Sequence, residues 1–166
     1  LAFMLSSSEW AKASSVLGIL LFFLMGAIVS GYLLGSDYLR LGQLYGKIFF
    51  LEAAMLSLAT YLLWRDHMLG EFLASFVCGL QNAMASNYRG VMVRTTHMTG
   101  TFTDLGFTLG QILRGIEGVA WKLVSYAALI GGFFLGGAVG YFSFNQWQIL
   151  ALLIPVLLTL SMGIGH

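Results

Sequence analysis

From Ala13 to Gly35 the chain carries no charged side chain, and from Leu123 to Phe144 it again carries none. About 20 apolar residues cross a hydrocarbon core, and about 17 suffice at the low end. A backbone in lipid must satisfy its own hydrogen bonds, which a helix does within one segment. Two uncharged runs of this length therefore point to membrane-spanning helices. Three more segments fit the same reading: Ile48–Trp64 with Glu52, Met68–Ala85 with Glu71, Gln81 and Asn82, and Gln148–Ile164. Trp10, Trp64, Trp121 and Trp147 fall at segment ends, where indoles favour the headgroup level.

Composition supports this class. The chain is 58% hydrophobic and 9% charged, against about a quarter charged in soluble domains. It cannot clothe itself in a polar surface, so the lipid bilayer is its expected surrounding. A formal charge of +1 argues against nucleic acid as a partner. One cysteine, Cys78, permits no internal disulfide, and its apolar surroundings point to a core position. The expected fold class is all-α, a polytopic membrane helix bundle.

Residues 94–106 gather most of the chemistry. Arg94, Thr95, Thr96, His97, Thr99, Thr101, Thr103 and Asp104 share this short stretch. Ionisable groups at membrane depth usually face a cavity, a pathway or another protein group. His97, Thr101, Asp104, Thr108 and Gln111 recur at steps of four and three, so they share one face of a helix. Three readings fit residues 97–115: an amphipathic helix at the interface, a re-entrant or broken helix facing a cavity, and a full polar-lined span. A break near Gly100 would present free N–H groups and a partial positive charge to an anionic solute. The bland counterpart is that the threonines satisfy backbone groups at a break.

The chain also matches itself. Displaced by 111 positions, Trp10 falls on Trp121, Ser14 on Ser125 and Ile19 on Ile130. Phe22, Phe23 and Leu24 fall on Phe133, Phe134 and Leu135, and Gly26 and Ala27 on Gly137 and Ala138. Repeats of this kind are a common build for transporters. The repeat divides one integral membrane domain into residues 1–67, the remainder of a first copy, and 68–166, a second copy. Each copy would hold about three spans plus a re-entrant or broken helix. A further helix and a first version of the threonine-rich motif are expected upstream of Leu1.

Parity decides the symmetry. If residues 97–115 do not cross, the two uncharged helices run in opposite directions and the repeat is inverted. Arg40, Lys47, Arg89, Arg94, Arg114 and Lys122 then share one side, against Lys12 and Arg65, which suits the positive-inside rule. The inverted arrangement is the favoured one, with the loops 36–47 and 86–121 cytoplasmic.

Other polar and small residues are weaker pointers. Gln81 and Asn82 would line the same cavity or bridge helices. Glu52 would act as a coupling carboxylate, snorkel to the near interface, or pair with Lys47. Gly132, Gly136 and Gly140 form a ridge suited to close helix packing. Pro155 is expected to kink the last helix. No GxSxG, HExxH, P-loop or CxxC pattern is present, and the spacing of Ser86 and His97 supports no nucleophile and base. No catalytic residue, metal site or cofactor is expected.

The runs Gly79-Leu80-Gln81-Asn82-Ala83, Arg94-Thr95-Thr96-His97-Met98-Thr99-Gly100-Thr101 and Thr103-Asp104-Leu105-Gly106 resemble the YoaK-like family of bacterial multi-pass membrane proteins, a domain of unknown function. The resemblance implies a bacterial inner-membrane location and an earlier helix and motif lying before Leu1. It implies no activity and carries over no catalytic residue.

The functional expectation is a small secondary transporter or permease-like protein. His97, Thr99, Thr101 and Asp104 would centre a site for a small anionic or polar solute, with Gln81, Asn82 and Arg94 flanking it. Asp104, His97 and Glu52 would couple protons or ions. The alternative is a non-transporting subunit that packs into a larger membrane complex or a homo-oligomer.

Overall fold

In the computed structural model, residues 10–34, 41–86 and 97–165 are described, and their regular structure is entirely helical. In chain order the helices are α1 (Trp10–Leu34), α2 (Leu41–Trp64), α3 (Leu69–Ser86), α4 (Met98–Leu113), α5 (Ala120–Trp147) and α6 (Leu153–Ile164). A 3-10 segment, Gln148–Leu152, precedes α6. Three stretches are long and apolar enough to cross a membrane: Lys12–Leu34, Leu44–Trp64 and Ala120–Ile164. The last is divided where Gln148 takes a left-handed conformation (φ 50°). The shorter α3, with Glu71, Gln81 and Asn82, is not among these stretches. All four tryptophans sit within a residue or two of a helix end and are exposed, as residues at a headgroup level would be.

The chain forms two compact units. One comprises Leu1–Met84 with Trp147–His166, and the other Ala85–Gln146.

In the first unit, α1 and α3 run parallel in tight contact. Gly18 lies against the Phe72 ring, and Ser75 Oγ donates to the Ile19 carbonyl at 2.7 Å. The Phe22 and Phe72 rings stack with centroids 5.1 Å apart. Further along, Gly79 meets the Phe23 carbonyl, and Gly26 meets the Phe76 carbonyl and the Leu80 nitrogen. Only residues without a Cβ let two helix backbones approach so closely.

A short turn reverses α2 into α3. Asp66 takes φ 54° there, and His67 Nδ1 accepts a hydrogen bond from the Leu69 N–H at 3.3 Å, capping α3. Gly70 nestles against Leu63 and the Ala59 carbonyl. Leu34, Ile48, Phe49, Leu80 and Met84 form one buried cluster, and Ala53, Leu56, Val77 and Val156 another. The pairing of Leu63 with Gly70 and of Ile48 with Met84 makes α2 and α3 antiparallel.

Helix α6 is also antiparallel to α2. Val156 packs with Leu56, while Gly163 lies against Phe50 and the Gly46 carbonyl. So α3 ends beside the Ile48 end of α2, whereas α6 begins toward its Trp64 end. The expected kink at Pro155 is absent from the interior of α6. Pro155 occupies the first helical turn, where its missing N–H breaks no bond, and the change of helix type lies before it.

In the second unit, α4 turns into α5 through Gly115 (φ 77°) and Gly118 (φ 81°). Glycine adopts this left-handed backbone without steric cost. Among the described residues the Gly132, Gly136, Gly140 ridge does not pack as its spacing suggested: a Cβ at any of the three would meet none of them within 4 Å. The small-residue contacts fall instead on Gly18, Gly26, Gly70 and Gly79. Cys78 is likewise exposed rather than in the core.

Candidate functional site

Helix α4 carries the threonine-rich motif and begins immediately after His97. The His97 carbonyl accepts the first helical bond, from Thr101 N–H at 3.1 Å, and the Thr101 hydroxyl also approaches it at 3.3 Å. The imidazole lies directly over Gly100, where a Cβ would collide with the ring. Glycine at this position therefore makes room for the histidine. The helix runs unbroken through Gly100, having begun two residues earlier.

The expected stripe shares one face, but its members differ in surroundings. Thr101 and Thr108 are buried, Gln111 is half-buried, and His97, Thr99 and Asp104 are exposed. Thr103 Oγ1 donates to the Thr99 carbonyl at 2.9 Å, and Thr108 Oγ1 to the Asp104 carbonyl at 2.8 Å. These hydroxyls bond backbone carbonyls one turn back within the continuous helix, not at a break. Their oxygens keep lone pairs with which to accept from another group.

His97 and Asp104 are two turns apart, about 10 Å along the axis at 1.5 Å per residue. They cannot hydrogen-bond directly, so a proton passing between them would need an intermediary. Asp104 lies within electrostatic reach of Tyr126 on α5. Gln81, exposed, and Asn82, half-buried, belong to α3. Arg94, with Thr95 and Thr96, lies outside the described residues.

Glu52 occupies a different setting from either of its surface readings. It neither snorkels nor pairs with Lys47, which is exposed. Its side chain is 1% exposed, and both carboxylate oxygens lack a hydrogen-bond partner among the described residues. Ser30 on α1 is equally buried, and its hydroxyl also lacks a partner among them. Sequence reasoning passed over Ser30. Its signal was a lone hydroxyl one turn beyond Gly26, on the face that touches α3. Among the described residues no group of three His, Cys, Asp or Glu side chains could hold a metal ion.

Long apolar helices, indoles at their ends and a buried carboxylate within the bundle define a helical protein of the membrane type. The family model described as protein of unknown function (DUF1275) matches residues 1–165, and the chain belongs to that family. No curated protein and no solved structure matches it.

Proposed function

We propose that the protein is a small secondary transporter of the bacterial inner membrane, built on an inverted repeat, with its solute site on the exposed polar face of α4. The observation that carries this reading is the antiparallel pairing of α6 with α2. Within the first unit α3 ends and α6 begins at opposite ends of α2, which supports an odd number of crossings in between. At 1.5 Å per residue, α5 is about 42 Å long and can make one crossing alone. The inverted-repeat reading takes α4 as a helix that does not cross, as the parity argument from the 111-residue displacement expects.

Helices α2 and α6 pack antiparallel within the first unit. Inverted repeats with polar, non-crossing helices are a recurrent transporter build. The exposed His97, Thr99 and Asp104 of α4 would meet the solute. The YoaK-like resemblance supplies the inner-membrane placement.

The test is a thermal-stability screen of the purified protein against small anions, amino acids, sugars and nucleobases, with Asp104→Asn and His97→Ala alongside. A solute that binds the folded state raises its stability by mass action. A shift seen in the wild type and lost in both variants, followed by uptake of that solute, supports the reading. Uptake that ignores both substitutions removes the site from α4. No shift with any solute, together with co-purification of a stoichiometric partner, favours a packing subunit instead.

A further inference from the structure

The turn that joins α4 to α5 presents apolar side chains where a turn in water would present polar ones. Leu113, the last residue of α4, is 88% exposed, and Ile116 and Trp121 beside it are exposed as well. Phe102, Leu109 and Leu113 recur at steps of seven and four, so an exposed apolar strip runs along α4 to this tip. The tip belongs wholly to the second unit.

Backbone hydrogen bonds fix the shape of the turn. The Gly115 N–H donates to the Ile112 carbonyl at 2.9 Å, and the Ile116 N–H to the Gln111 carbonyl at 3.1 Å. This pair of bonds is the Schellman ending of a helix. An apolar residue at the position of Ile116 usually packs back on an apolar residue at the position of Gln111 or the one before it. Those positions hold Gln111 and Gly110, so the helix end offers Ile116 no apolar side chain to lie on. The same tip is basic. Arg114, exposed, caps α4, and Lys122, half-buried, lies in the first turn of α5. Between them stands one acid, the exposed Glu117.

We propose that the α4–α5 turn is a docking site for anionic phospholipid: Leu113, Ile116 and Trp121 enter the upper acyl chains while Arg114 and Lys122 hold the headgroup phosphate. Continuity with α5 decides for lipid over a protein partner. The stretch long and apolar enough to cross a membrane begins at Ala120, so the turn lies at the depth where a crossing meets the headgroups. An indole is at home at that level. A guanidinium offers paired N–H donors that match phosphate oxygens, and an ammonium adds a point charge. Two cations against one acid leave a surplus of one positive charge, which favours an anionic headgroup over a zwitterionic one. One such charge near an anionic surface changes partitioning about fivefold. The proposal needs only the membrane class of the protein and is independent of the solute site on α4.

The test attaches a fluorophore to the full chain through Leu113→Cys, with Cys78→Ala removing the native thiol. The labelled protein is placed in nanodiscs of equal parts phosphatidylglycerol and phosphatidylcholine. Bromine, which quenches on contact, is carried on the acyl chains of one lipid or of the other. Quenching should report about fivefold enrichment of phosphatidylglycerol beside residue 113. Arg114→Gln combined with Lys122→Gln should abolish the enrichment, and Glu117→Gln should increase it. Arg65→Gln, at an exposed cation of the α2–α3 turn, should leave it unchanged, which separates a local site from net charge. Equal quenching by the two lipids would overturn the proposal, as would an enrichment that Arg65→Gln removes as fully as the double variant. Quenching by aqueous iodide and by neither lipid would place the turn in water and overturn the docking itself. All the substituted side chains lie on the surface or half-buried at a helix end, so loss of the fold does not stand between the variants and the readout.

Discussion

The same substitution, glycine to alanine, should have opposite effects at two positions that look alike in the sequence. At Gly79 the added Cβ would meet the Phe23 carbonyl oxygen, with the carbonyl carbon 2.8 Å and the Cα 3.0 Å away. All three are backbone atoms of α1, so no side chain can rotate out of the way. Ordinary contact begins near 3.4 Å, and the two helices must therefore slide apart. Overpacking of this kind costs about 1–3 kcal/mol. Alanine gains about 1 kcal/mol over glycine in a helix interior, which offsets part of it. The net expectation is a loss of about 1–2 kcal/mol. At Gly136 none of the described residues lies within 4 Å of the new Cβ, so only the gain of up to about 1 kcal/mol remains. For a chain of this size each kcal/mol moves the melting temperature by about 2–4 °C. Thermal unfolding of the two variants in one detergent should therefore place Gly136→Ala about 5–10 °C above Gly79→Ala. Combining Gly26→Ala with Gly79→Ala should cost less than the two losses summed, because both open one crossing. Equal melting of Gly79→Ala and Gly136→Ala would refute the reasoning and with it the parallel α1–α3 contact.

Leu80→Ala should be among the most damaging truncations, since Leu80 is 1% exposed between α1 and α2. A loss of about 2–5 kcal/mol is expected, whereas Leu135→Ala, at a 70% exposed position, should change thermal unfolding little. Gly100→Ala should leave stability within about 0.5 kcal/mol, because the exposed imidazole it strikes can swing aside. The displaced His97 ring should nevertheless show altered proton and nitrogen chemical shifts, and a solute that depends on His97 should bind more weakly.

The helices themselves were legible because their signal is local. The uncharged runs are long enough to cross, and α1 and α5 begin or end on the tryptophans that marked them. The α4 helix was legible too, from the four-and-three recurrence of His97, Thr101, Asp104, Thr108 and Gln111. What periodicity could not reveal was the difference within that stripe. Thr101 and Thr108 are covered while Asp104 is open, and that depends on what each residue faces across space.

The glycines show the limit most clearly. Gly132, Gly136 and Gly140 have the better spacing, yet the close approaches fall on Gly18, Gly26, Gly70 and Gly79. In lipid an apolar residue is about equally at home against a hydrocarbon tail or a neighbouring helix. Hydrophobic pattern therefore says that a segment crosses without saying which of its faces meets protein. Glu52 shows the same limit from the polar side: its position in the sequence allowed a coupling role, snorkelling or pairing with Lys47, and did not reveal its burial. The sequence alone determined the class of protein, the helices and the place of the polar motif, because length, charge and tryptophan position are properties of single segments. Only the tertiary structure decided which glycines touch and that Ser30 and Glu52 are each enclosed, because burial is a relation between helices that no single segment contains.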